Sequence, residues 1–60
     1  MRKERAIQKA NELSKKEGTE FIVVHDPVDD EAPNYGYYVY DTYSYPDYIR
    51  DKDIVYSSWE

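Results

Sequence analysis

The chain has no cysteine, which excludes a disulfide framework and any zinc site built on thiolates. The absence fits a reducing compartment, so we expect the cytoplasm. No apolar run approaches the roughly 18 residues that a membrane span needs, and the basic start leads into no signal-peptide core. With one histidine and two glycines, the sequence carries no metal, nucleotide or nucleophile motif above background. We therefore expect no enzyme activity, no cofactor and no membrane contact.

Two groups of titratable residues bear on this expectation. His25 precedes Asp26, but the chain offers no cysteine and no serine in a nucleophile turn for a general base to activate. We interpret His25 as a strand-end residue. The acids Asp26, Asp29, Asp30 and Glu31 lack the alternating spacing, the glycine and the final acid of a calcium loop. They are typical of a solvated acidic loop.

The sequence is rich in tyrosine, with eight tyrosines that all lie between Tyr35 and Tyr56. Aromatic residues make up 17% of the chain, and this share argues against disorder although 35% of the residues are charged. Sixty residues form one domain at most. Tyrosine buries a large ring while its hydroxyl stays available to a partner, so the cluster indicates either a sheet core or a binding surface.

Charge is distributed unevenly along the chain. Residues 1–17 hold six basic residues against three acidic ones, whereas residues 18–60 hold two basic residues against ten acidic ones, for a net charge of −5. A basic helix is thus joined to an acidic, tyrosine-rich remainder. This balance favours a protein partner with a basic surface and makes nucleic acid an unfavourable partner for the chain as a whole.

The apolar pattern predicts an α+β fold in the order α-β-β-β, with one N-terminal helix packed on a small three-stranded antiparallel sheet. The helix is predicted at about residues 2–17, because small and large apolar residues recur there at spacings of three and four and Gly18 is placed to end it. The apolar stripe consists of Ala6, Ile7, Ala10 and Leu13. β-branched and aromatic residues predict strands at about 20–25, 35–43 and 53–57, with an acidic loop at 26–34.

Residues 44–52 stay open between a strand and a helical turn. Pro46 favours a short turn from Pro46 to Arg50 that carries Tyr48 and Ile49 inward. In the second strand, alternation places Tyr38 and Tyr40 on one face of the sheet and Tyr37 on the other.

We expect the helix to cover the face that bears Tyr38 and Tyr40, which makes those two residues and Tyr56 core residues. An error of one residue in register would exchange the two sets. The partner-binding residues expected on this assumption are rings and acids: Tyr37, Tyr43, Tyr45, Tyr48, Asp29, Asp30, Glu31, Asp41 and Asp47.

Three functional hypotheses follow. The first is a small acidic protein-binding module, and one form of it is a phage or mobile-element inhibitor that imitates nucleic acid to occupy a basic groove. The second is a nucleic-acid-binding protein that uses stacked tyrosines and the basic helix, through Arg2, Lys3, Arg5 and Lys9. The third is a self-associating accessory protein, since nothing in the second strand blocks pairing with another copy and a homodimer is a fair expectation.

Overall fold

The chain folds as one helix on one face of a three-stranded sheet, in a computed structural model that describes residues 1–26 and 36–59. The elements are α1 (Lys3–Glu17), β1 (Phe21–His25), β2 (Tyr37–Asp41), a 3₁₀ turn (Asp51–Asp53) and β3 (Ile54–Ser57). The α+β class and the order α-β-β-β are confirmed. All pairing is antiparallel in the order β2-β1-β3, so β1 is central and both later strands are edges. The predicted loop at 26–34 lies outside the described residues except for Asp26.

Helix α1 contributes mainly small side chains to its contact with the sheet. Ala6 and Ala10 are fully buried, and Ile7 is half-buried beside them. The helix ends at Gly18, whose φ of 73° is the left-handed conformation and whose N–H donates to the Ser14 carbonyl at 2.8 Å. Glycine adopts this conformation without the steric cost that a Cβ adds, so the local sequence stops the helix where it was expected to stop.

The helix covers the sheet face that carries Val23, Tyr37 and Val39. These residues pack with Phe21 and Tyr56 against the two helix alanines. The expectation that α1 covers the face of Tyr38 and Tyr40 is therefore wrong. Tyr37 lies on the face under the helix and Tyr40 on the opposite face, which is the exchange that an error of one residue in register produces. The expectation that Tyr56 belongs to the core is met.

The second face of the sheet carries its own small core. Ile22, Val24 and Ile49 are buried there, with Tyr40 and Tyr45 packed against them. Ile49 reaches this core because residues 46–49 form a turn in which the Ile49 N–H donates to the Pro46 carbonyl at 3.0 Å. The open question over residues 44–52 is thus settled in favour of turns. The segment after β2 folds back over the face that the helix leaves uncovered.

Candidate functional site

Two side chains stand out from the described surface by their exposure. Tyr43 is 89% exposed and Trp59 is 66% exposed, whereas Tyr48 is 48% exposed. Tyr43 follows the end of β2, and Trp59 follows the end of β3. Because Phe21 at the start of β1 pairs with Asp41 and bonds to Ser58, both rings lie at the same end of the sheet.

A short turn fixes Tyr43 outside the sheet. The Asp41 side chain accepts a hydrogen bond from the Tyr43 N–H through Oδ1 at 2.8 Å, and the Asp41 carbonyl accepts one from the Ser44 N–H at 3.0 Å. An aspartate that bonds the backbone two residues later is the usual start of such a turn. β2 therefore ends at Asp41, two residues earlier than predicted, and the ring of Tyr43 points into solvent.

Serine hydroxyls fix the end of β3 against β1. The Phe21 N–H donates to Ser58 Oγ at 3.0 Å, and the Ser58 N–H donates to the Phe21 carbonyl at 2.9 Å. Ser57 Oγ donates to Glu20 Oε2 and accepts a hydrogen bond from the Trp59 N–H at 3.2 Å. Trp59 thus leaves the sheet from a backbone that is held in place.

We call this region the aromatic end and define it by Tyr43, Trp59, Glu20 and Asp41. Each carboxylate already accepts one hydrogen bond from the chain, which fixes its position beside an exposed ring. The helix also ends here, and Lys15 and Lys16 lie exposed in its last turn. The aromatic end therefore combines exposed rings with fixed negative charge and nearby positive charge.

At the opposite end of the sheet, side chains contact one another. Tyr48 donates its hydroxyl to Asp26 Oδ2 at 2.7 Å, and Asp26 is only 7% exposed. The ring of His25 lies against that of Tyr37, with centroids 4.7 Å apart and a tilt of 40°. The buried His25 Nε2 has no hydrogen-bond partner among the described residues.

The structure divides the partner-binding residues expected from the sequence. Tyr43 is exposed at the aromatic end. Tyr37 and Tyr45 are half-buried, each packed on one of the two cores, so their expected exposure is wrong. Tyr38 is 36% exposed, although it was expected in the core, and Tyr40 packs on the second face instead of under the helix.

The other residues expected to bind a partner are acidic, apart from Tyr48. Asp47 is exposed on the turn that covers the second face, close in sequence to Tyr48. Asp41 contributes its charge at the aromatic end. The acids Asp29, Asp30 and Glu31 lie outside the described residues. Trp59 and Glu20 were missed, because a single tryptophan and a single glutamate form no periodic pattern.

The basic residues of the alternative nucleic-acid surface lie away from the exposed rings. Lys3, Arg5 and Lys9 are exposed on the first half of α1, and Arg2 precedes it. Arg5 and Lys9 line a shallow depression that they share with Gln8 and Glu12. The backbone of Met1 bonds to Tyr37, which places the start of the helix at the end of the sheet opposite Tyr43 and Trp59.

The described part of the chain holds no group of three or more histidine, cysteine or acidic residues that could bind a metal ion. Within the same residues, no helix is long and apolar enough to cross a membrane. Comparison with protein-family models, with curated proteins and with solved structures finds no match to this chain.

Proposed function

We propose that this chain is a small protein-binding module that contacts its partner through the aromatic end. The observation that carries the proposal is the exposure of Tyr43 and Trp59 at one end of the sheet. Tyrosine and tryptophan are enriched among the residues that dominate the energy of protein interfaces, since each buries a large ring and retains a polar group. An isolated exposed ring is common on protein surfaces, but two at one end form a candidate anchor.

The backbone around both rings favours binding with little loss of entropy. Asp41 fixes the turn that carries Tyr43, and Ser57 fixes the backbone of Trp59. Binding costs less when the contact residues are already held in place, because fewer backbone and side-chain states are lost. The two fixed carboxylates fit basic groups on the partner, in agreement with the net charge of −5.

Imitation of nucleic acid is a narrower form of this proposal. It requires carboxylates that are free to replace phosphates. Of the six carboxylates described after Gly18, those of Glu20, Asp26, Asp41 and Asp53 each accept a hydrogen bond from the chain itself, and those of Asp47 and Asp51 are exposed. This arrangement supports a mixed interface of rings and anchored acids more than a regular array of free charges.

The nucleic-acid-binding alternative receives less support. Stacking proteins place rings along a positively charged groove. Here the exposed rings of the aromatic end and the basic residues of the first helical turns lie at opposite ends of the sheet. We therefore keep protein binding as the proposal.

The test is affinity capture from the native host with the original chain and with a Tyr43→Ala/Trp59→Ala double variant. We expect a specific protein in the first capture and its loss from the second. The matched control is Val55→Ala, because Val55 is 39% exposed on β3 but lies outside the aromatic end. Thermal unfolding of all three proteins shows whether each is folded. A partner retained equally by the folded double variant would contradict the proposal.

A further inference from the structure

The outer edge of β2 is partly open, and the hydrogen-bond pattern shows which groups face outward. In an antiparallel pair, alternate residues direct both their N–H and C=O groups toward the neighbouring strand. The Asp26 N–H donates to the Gly36 carbonyl, and the Thr42 N–H donates to the Glu20 carbonyl. Gly36 and Thr42 therefore face β1, and so does every second residue between them. Tyr38 and Tyr40 are those residues, so their backbone groups bond to β1. The groups of Tyr37, Val39 and Asp41 therefore point away from the sheet.

Two of these three outward residues already have partners. The Tyr37 N–H donates to the Met1 carbonyl, and the Met1 amino group donates to the Tyr37 carbonyl, both at 3.2 Å. The Asp41 carbonyl accepts the Ser44 N–H. No other described residue bonds to the outward groups of Val39 or to the outward N–H of Asp41. Within residues 1–26 and 36–59, the outward backbone groups at the centre of the β2 edge therefore have no hydrogen-bond partner.

The other edge of the sheet is protected in a way that β2 is not. β3 contains an irregularity between its pairs with Val23 and Val24, which leaves Val55 as an extra residue. The Ile54 N–H is also taken by the Asp51 carbonyl. Bulges and occupied groups of this kind prevent strands from pairing edge to edge. β2 pairs with β1 in continuous register and contains no proline or lysine.

We infer that two copies of this chain pair through their β2 edges as antiparallel neighbours, with Val39 of each copy opposite Val39 of the other. A two-fold axis through a hydrogen-bonded pair places one residue opposite its own copy and requires that its N–H and C=O groups both be available, and Val39 meets this condition. The two copies form a pair of hydrogen bonds across the axis. If Met1 moves away, Tyr37 can also pair with Asp41 of the second copy, so Met1 competes with the extension of the interface.

The side chains beside the axis match this register. Tyr38 faces Tyr40 of the second copy on the second face of the sheet, and the symmetric pair repeats the contact. Tyr38 is 36% exposed in the single chain, so its ring has surface left to bury. Aromatic pairs directly opposite each other on neighbouring strands stabilise a sheet. This surface is centred on Val39 and shares only Asp41 with the aromatic end, and the inference does not depend on the proposed function.

Measurement of mass in solution is the first test. Sedimentation equilibrium of the original chain, up to about 1 mM, should show a dimer whose fraction increases with concentration. Val39→Pro removes the outward N–H and should leave a monomer, because an edge strand tolerates proline where its N–H faces solvent. Tyr43→Ala is the control and should dimerise as the original chain does. A monomer at every concentration, or equal dimerisation by folded Val39→Pro, overturns the inference.

Disulfide trapping tests the register and does not depend on proline. Because the chain has no cysteine, Tyr38→Cys and Tyr40→Cys each introduce a single thiol. In the inferred dimer these positions face each other as a pair without hydrogen bonds, with Cα atoms about 4.5 Å apart, within disulfide range. Identical positions are about 8 Å apart, which is too far.

A mixture of the two folded cysteine variants should therefore form a mixed disulfide under mild oxidation, while each variant alone forms far less. Cross-linking in the mixture that is no greater than in the separate variants would show that the register is wrong.

Discussion

Replacement of Tyr48 by phenylalanine should destabilise the fold, although Tyr48 is 48% exposed and lies on a turn. The change removes the hydroxyl that donates to Asp26 Oδ2 at 2.7 Å. Asp26 is 93% shielded from solvent, so water cannot fully replace the lost donor. A hydrogen bond to a charged group contributes about 1.5 to 3 kcal/mol, and the half-exposed ring places this one at about 1.5 to 2 kcal/mol.

The consequence is measurable as a fall in melting temperature. For a domain of this size each kcal/mol corresponds to about 4 to 8 °C, so the loss should be about 6 to 16 °C. Circular dichroism during thermal and urea unfolding measures it. The matched control is Tyr43→Phe, because the Tyr43 hydroxyl has no hydrogen bond to the described residues and its removal should change stability by less than about 0.5 kcal/mol.

A double-mutant cycle identifies the source of the effect. In an Asp26→Ala background the Tyr48→Phe change should cost far less, because the acceptor is already gone. Equal melting temperatures for Tyr48→Phe and Tyr43→Phe would refute the reasoning. The same cost in both backgrounds would show that the ring of Tyr48, and not its bond to Asp26, supports the turn.

Three further changes test the helix, two at its packing on the sheet and one at its C-terminal end, each by urea unfolding. Val23→Ala should lower the free energy of unfolding by about 2 to 3 kcal/mol, because Val23 is fully buried on the sheet face that packs against α1. A loss below about 1 kcal/mol would contradict this placement. Ala10→Leu should cost about 1 to 3 kcal/mol by overpacking the same contact, whereas Gln8→Leu on the exposed side of α1 should not. Gly18→Ala should cost about 1 kcal/mol from the left-handed backbone alone, since nothing lies within 4 Å of an added Cβ, and no loss would argue against that conformation.

The parts of the fold that were predictable from the sequence depend on local patterns. The spacing of Ala6 and Ala10 and the position of Gly18 specify the helix within one residue at its start. These features require only neighbours within about one helical turn, so no knowledge of distant contacts is needed.

The side of the sheet that meets the helix was not predictable in the same way. Alternation separates Tyr37 from Tyr38, but it does not determine which of them faces α1, since the connection from helix to β1 and the pairing of β1 with β2 decide this together. The aromatic end depends on similar long-range contacts. Glu20 meets Ser57, which lies 37 residues later in the chain, and this contact orients the segment that carries Trp59.

The strand order also has a consequence for synthesis on the ribosome. β1 emerges early, but both of its neighbours follow it, and β3 contributes the pairing residues Ile54–Ser57. While β3 is still in the exit tunnel, the Val23 backbone groups that bond to Tyr56 have no strand to meet. The sheet therefore cannot be complete before β3 has been translated, and until then the edge of β1 that faces β3 has no partner strand.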